Sequence, residues 1–80
     1  GTHRTGARIE AVAGDVLTLT HPPIPALQWP AMTMDFKLAP NLKESALGAG
    51  QEIEIEFRMQ EGAAPQIVSI RRTGNKGGAR

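Results

Sequence analysis

Short runs of alternating apolar and polar residues dominate this chain, and glycine or proline closes most of them. The cleanest is Glu52 to Met59 (EIEIEFRM), with Ile53, Ile55, Phe57 and Met59 on one face and Glu52, Glu54, Glu56 and Arg58 on the other. Successive side chains of a strand point to opposite faces, so this period of two predicts a half-buried strand with all four apolar residues in the core. Ala7 to Ala13 (ARIEAVA) alternates in the same way and ends at the turn pair Gly14-Asp15. Val16 to His21 follows with Leu17, Leu19 and His21 on one face, and the glycine turn joins the two segments as a hairpin. From Ala31 to Leu38, Met32, Met34, Phe36 and Leu38 oppose Thr33, Asp35 and Lys37. After a turn at Glu61 to Ala64, Gln66 to Arg72 reads as a fifth strand, with Val68 and Ile70 as its core positions.

The connections differ in stiffness. Pro22 to Pro30 holds four of the six prolines and cannot be a central strand, because each proline lacks the donor a ladder needs. Leu42 to Leu47 reads as one or two helical turns, with Asn41 as N-cap, Glu44 three residues on, and Gly48 or Gly50 as the stop. Gly74 to Arg80 (GNKGGAR) reads as a disordered tail. The expected architecture is therefore all-β: a small five-stranded barrel of the oligonucleotide/oligosaccharide-binding type (OB-fold-like), with a short helical turn between strands 3 and 4. The expected layout is a flexible N-terminus over 1–6, a barrel domain over 7–72 and a tail over 73–80.

Composition narrows the function. Eighty residues make one domain, near the lower size at which a chain hides enough apolar surface to fold alone. A net charge of +1, one Trp, two Phe and no Tyr argue against a nucleic-acid-binding barrel, which stacks bases on exposed aromatics along a basic face. No apolar run approaches the roughly 20 residues of a membrane helix, so direct membrane insertion is not expected. Zero Cys excludes disulfides, thiolate zinc sites and thiol catalysis. No serine has a matching base and no glycine loop cradles a phosphate, so the chain does not read as an enzyme. Gly1 at the start reads as a processed terminus or a domain boundary. A free terminal amine with His3 would chelate Cu(II), but a boundary at Gly1 is the reading taken.

Chemistry concentrates in 14 residues, His21 to Met34, which contain His21, Trp29, Met32 and Met34. Two thioethers and an imidazole suit a soft d10 cation such as Cu(I) or Ag(I), which prefers sulfur and nitrogen over oxygen. Met32 and Met34 lie two apart on one strand and so share a face, while His21 ends the neighbouring strand. The same residues also fit plain packing, because Met fills gaps and Trp is usually buried for its area. Residue pattern alone leaves both readings open: a metal site, or a structural barrel with these side chains as core. Met59 carries no His or second Met beside it in sequence and is assigned to the core.

The combined motif adds a resemblance. His21-Pro22-Pro23-Ile24 followed by Trp29-Pro30-Ala31-Met32-Thr33-Met34-Asp35-Phe36 closely resembles the signature H-x-P-[IV] and W-P-x-M-T-M-x-F of the CusF-type periplasmic copper/silver-binding proteins. It is strong over 16–38 and extends by strand order over about 5–72. The resemblance implies a five-stranded barrel that binds Cu(I) or Ag(I) through His21, Met32 and Met34, with the ring face of Trp29 against the ion. It also implies a monomeric module in the periplasm that works with the adaptor and inner-membrane pump subunits of a tripartite (RND) heavy-metal efflux system. It is compatible with a free-standing metallochaperone or with a C-terminal domain of the adaptor (membrane fusion) subunit, and the latter is the reading favoured. Pro22 and Ala31 stand where relatives commonly carry an acidic residue, so an acidic group orienting the histidine is expected to be missing.

Overall fold

The computed structural model of the chain describes residues 1–42 and 46–73. Five strands form: β1 (His3–Ala13), β2 (Val16–His21), β3 (Met32–Leu38), β4 (Glu52–Gln60) and β5 (Ala63–Arg72). They close into a barrel in the order β1-β2-β3-β5-β4, with β4 returning to β1. All pairings are antiparallel except β3 with β5, which run parallel over Lys37↔Gln66 and Leu38↔Ile67. Closure pairs each strand with two neighbours, though the β3–β5 seam is only two residue pairs long, and it encloses an interior in a chain this short. Ile9, Leu17, Leu19, Phe36, Ile53, Ile55, Phe57 and Ile67 fill that interior almost completely shielded from solvent.

The registers fix which residues meet at each end. His3 lies opposite Phe57, Arg8 opposite Thr20, His21 opposite Met32 and Gln60 opposite Ala63. One end of the barrel therefore gathers the starts of β1, β3 and β5 with the finishes of β2 and β4. His21 and Met32 belong to that end.

Several expectations about individual elements need correction. β1 begins at His3, four residues before Ala7. Met59, expected in the core, is 47% exposed. It sits beyond Phe57 where the β4–β5 register shifts between Arg58 and Gln60, so the strand runs past the interior as it reaches the hairpin. On β5 the most buried residue is Ile67, with Pro65 also buried, while Val68 is half-buried. The cause is a bulge. Glu56 pairs with Ser69 but Phe57 pairs with Ile67, so Val68 is the extra residue. The bulge lets both Ile67 and Ile70 turn towards the core, which strict alternation forbids. A second bulge leaves Glu10 as the extra residue of β1, between the pairs Ile9↔Leu19 and Ala11↔Thr18. There its carboxylate accepts hydrogen bonds from Thr20 (2.7 Å) and Arg8 (3.0 Å), which together hold its pKa below the usual glutamate value.

The helical turn expected over Leu42 to Leu47 includes 43–45, which lie outside the described residues, as does the tail from Gly74. Among the described residues the one helical element is a 3-10 turn at Pro25–Leu27, between β2 and β3. No helix of the described residues is long and apolar enough to cross a membrane.

Candidate metal centre

His21 closes β2 with its side chain on the inner face, in line with Leu17 and Leu19, and is 1% exposed. Its Nδ1 lies 2.7 Å from the carbonyl oxygen of Pro22. A carbonyl only accepts, so Nδ1 must carry the proton and donate it. In the neutral ring the lone pair then belongs to Nε2. That atom faces the Sδ of Met34 at 3.4 Å. In that tautomer Nε2 and the thioether sulfur face each other as two lone-pair donors. At ordinary ligand distances of about 2.0 Å for nitrogen and 2.3 Å for sulfur around a zinc-sized ion, two such ligands stand roughly 3.5 Å apart across a tetrahedral angle. The 3.4 Å gap is close to that spacing.

The methionines reach this point from β3. Met34 lies opposite Leu19, is partly buried and packs on the core. Met32 lies opposite His21 and is 38% exposed. Met32, at the first residue of β3, is thus more open to solvent than Met34 and, like Met59, lies outside the buried core. Burial thus grades across the rim: imidazole sealed, one sulfur half-covered, the other open to solvent.

Trp29 is placed by the proline-rich connection rather than by a strand. Pro25, with its φ already set, opens the 3-10 turn, and the amides of Leu27 and Gln28 donate to the carbonyls of Ile24 and Pro25 at 3.0 and 2.9 Å. Gln28 ends the turn in the left-handed region at φ 56°. Reciprocal backbone bonds then join Ile24 and Trp29, at 3.0 and 3.2 Å. Buried Ile24 anchors this small loop to the barrel. The indole comes to rest 5.7 Å from the His21 ring, centroid to centroid, with a 32° tilt. His21, Met34 and Trp29 therefore meet at one end of the barrel, where Met32 is the register partner of His21.

Two supporting groups were not anticipated. The Pro22 carbonyl takes the orienting role for which an acidic side chain was sought, and no side-chain motif can reveal a backbone acceptor. Phe57 and Phe36, read only as core, line the floor of the site: Phe36 meets the His21 ring edge-on at 6.1 Å, and Phe57 stacks on Trp29. Among the described residues no set of three or more His, Cys, Asp or Glu side chains is grouped to hold a metal.

A closed five-stranded barrel with a sulfur, imidazole and indole rim defines a small β-barrel binding domain of the OB type. The sequence pattern of the family described as "Copper binding periplasmic protein CusF" matches residues 2–72, and the chain belongs to that family. It is 39% identical over 55 residues to the cation efflux system protein CusF of Escherichia coli K12, an alignment covering 69% of this chain and 49% of that relative. The chain thus spans about half the length of the relatives it matches in sequence. The solution structure of the C-terminal domain of SilB from Cupriavidus metallidurans superposes with a TM-score of 0.80 at 30% identity, covering 100% of this chain and 98% of that one. The crystal structure of Ag(I)-bound CusF gives a TM-score of 0.80 at 25% identity, covering 91% and 99%.

Proposed function

We propose that this chain is a periplasmic Cu(I)/Ag(I)-binding module that passes its cargo to a tripartite heavy-metal efflux pump. His21 Nε2 and the sulfurs of Met32 and Met34 are the ligands, and Trp29 covers the ion with its ring face. The observation that carries this reading is the approach of His21 Nε2 to Met34 Sδ at 3.4 Å, with Nδ1 of the same ring 2.7 Å from the Pro22 carbonyl oxygen. Neutral sulfur and nitrogen donors favour a soft monovalent ion over the harder divalent ones. An aromatic face within about 6 Å adds roughly 1–2 kcal/mol of cation–π attraction when desolvated, and it excludes water and oxidant. Membership of a family described as copper-binding and periplasmic, and a silver-bound neighbour, support the same ions and compartment. The match of 100% of this chain to a solved C-terminal domain supports reading the module as a domain of a larger protein, which on this proposal is the adaptor subunit.

The reading is tested by titrating Ag(I) while following Trp29 fluorescence. Quenching is expected to be complete at one equivalent. Met34→Ile or Met32→Ile is expected to abolish it, with stability changed by at most about 1.5 kcal/mol, because the swap roughly conserves volume and removes sulfur. An unresponsive wild type, or full quenching in both variants, contradicts the assignment. Delivery further requires that Ag(I) leave the loaded barrel when the periplasmic parts of adaptor and pump are added; retention limits the role to sequestration.

A further inference from the structure

We infer that Phe57 is a positioning residue of this site: it sets the plane of the Trp29 indole over the ligands, an inference that rests on the metal-binding reading above. Phe57 is fully buried near the finish of β4, and its ring lies 12° from parallel to the indole, with centroids 6.1 Å apart. It also meets Phe36 edge-on at 5.2 Å, and Phe36 meets His21 edge-on at 6.1 Å. With the 5.7 Å contact between His21 and Trp29, four rings close a circuit. The circuit includes the imidazole ligand, the indole and both phenylalanines of the chain, so every carbocyclic aromatic residue present is used at this one end.

The need for such a partner follows from how Trp29 is attached. The loop bridge to Ile24 fixes its backbone but leaves both of its side-chain torsions to packing. A cation is attracted only to the ring face, so an indole free to rotate loses the interaction even while its backbone stays in place. Offset parallel stacking is the aromatic contact that defines a plane. Phe57 supplies it from a strand interior, where β1 opposite holds it: His3 pairs with Phe57, and the His3 ring covers it at 5.6 Å. An aliphatic residue of similar size fills the same space without dictating a plane.

The test is a double-mutant cycle in Ag(I) affinity, measured by competition, between Phe57→Leu and Trp29→Leu. Phe57→Leu alone is expected to weaken binding about threefold to tenfold and to lower the fluorescence anisotropy of Trp29 in the metal-free protein. In the Trp29→Leu background it is expected to change affinity less than twofold. Ile53→Val, at the other end of β4, is expected to leave both affinity and anisotropy as in the wild type. Should Phe57→Leu fail to fold, Phe57→Ile, which likewise brings no donor atom, takes its place in the cycle. Nuclear Overhauser contacts between the indole and the Phe57 ring in the wild type, retained on loading, then give a second reading. Equal weakening in both backgrounds, unchanged affinity with Trp29 present, or loss of those contacts on loading overturns the positioning role while metal binding stands. A wild type that does not bind Ag(I) overturns both.

Discussion

A neutral imidazole has one lone pair to offer, and the Pro22 carbonyl decides that it is the one on Nε2. The motif H-P-P-I displays the ligand but not the group that orients it, because that group is main chain. This is why an acidic partner looked missing from the sequence although the orienting bond is made. Neighbouring side chains divide the remaining work. Met34 brings sulfur against the sealed imidazole, and in the proposed site the exposed Met32 supplies the second sulfur from the solvent side. Trp29 supplies no bond in this scheme, only an aromatic face. Trp29→Ala is therefore expected to retain Ag(I) binding with affinity lowered about fivefold to thirtyfold, the equivalent of roughly 1–2 kcal/mol of cation–π attraction. It is also expected to let bound Cu(I) oxidise in air, followed by the growth of the Cu(II) electron paramagnetic resonance signal. Cu(I) that stays silent in the variant as long as in the wild type contradicts the covering role.

At the scale of elements, the loop between β2 and β3 repays attention more than the strands do. Its prolines rule out a central strand, and the sequence says that much; what the prolines build is a 3-10 turn clasped by the Ile24–Trp29 bridge. The turn ends on Gln28 in a left-handed conformation, which β-branched residues resist more than others. Gln28→Ile is expected to cost about 1–2 kcal/mol of stability, read as a lower midpoint in thermal unfolding, and to shift Trp29 emission to the red as the loop loosens. Gln28→Gly, which adopts positive φ without strain, is expected to leave emission unchanged. A neutral Gln28→Ile variant would mean that the turn does not position the indole.

Across the molecule, five strands and their order of pairing in the hairpins were legible because a period of two survives wherever one face is buried. Ile53, Ile55 and Phe57 show this on β4, as do Leu17, Leu19 and His21 on β2. Legibility ended where pairing slips. The bulge at Val68 turns Ile67 inward and breaks the alternation that pointed to Val68, and the slip after Arg58 carries Met59 out of the core it was assigned to. Such slips depend on the partner strand, which a single strand's pattern does not contain. The site suffered less, because its residues come from two paired strand ends whose meeting follows from the β2–β3 register His21↔Met32 and Leu19↔Met34. The ring circuit beneath it was hidden for the opposite reason: Phe36 and Phe57 are inward-facing residues like any others until the barrel closes and brings them against His21 and Trp29.

One nitrogen and two sulfurs are proposed to converge on a single soft ion at this rim. X-ray absorption at the copper edge of the Cu(I)-loaded protein reads that ligand set without intermediaries. The expected spectrum contains one imidazole nitrogen and two thioether sulfurs, with one sulfur lost in Met32→Ile and in Met34→Ile. A shell of nitrogen and oxygen alone, or two sulfurs persisting after either substitution, would contradict it.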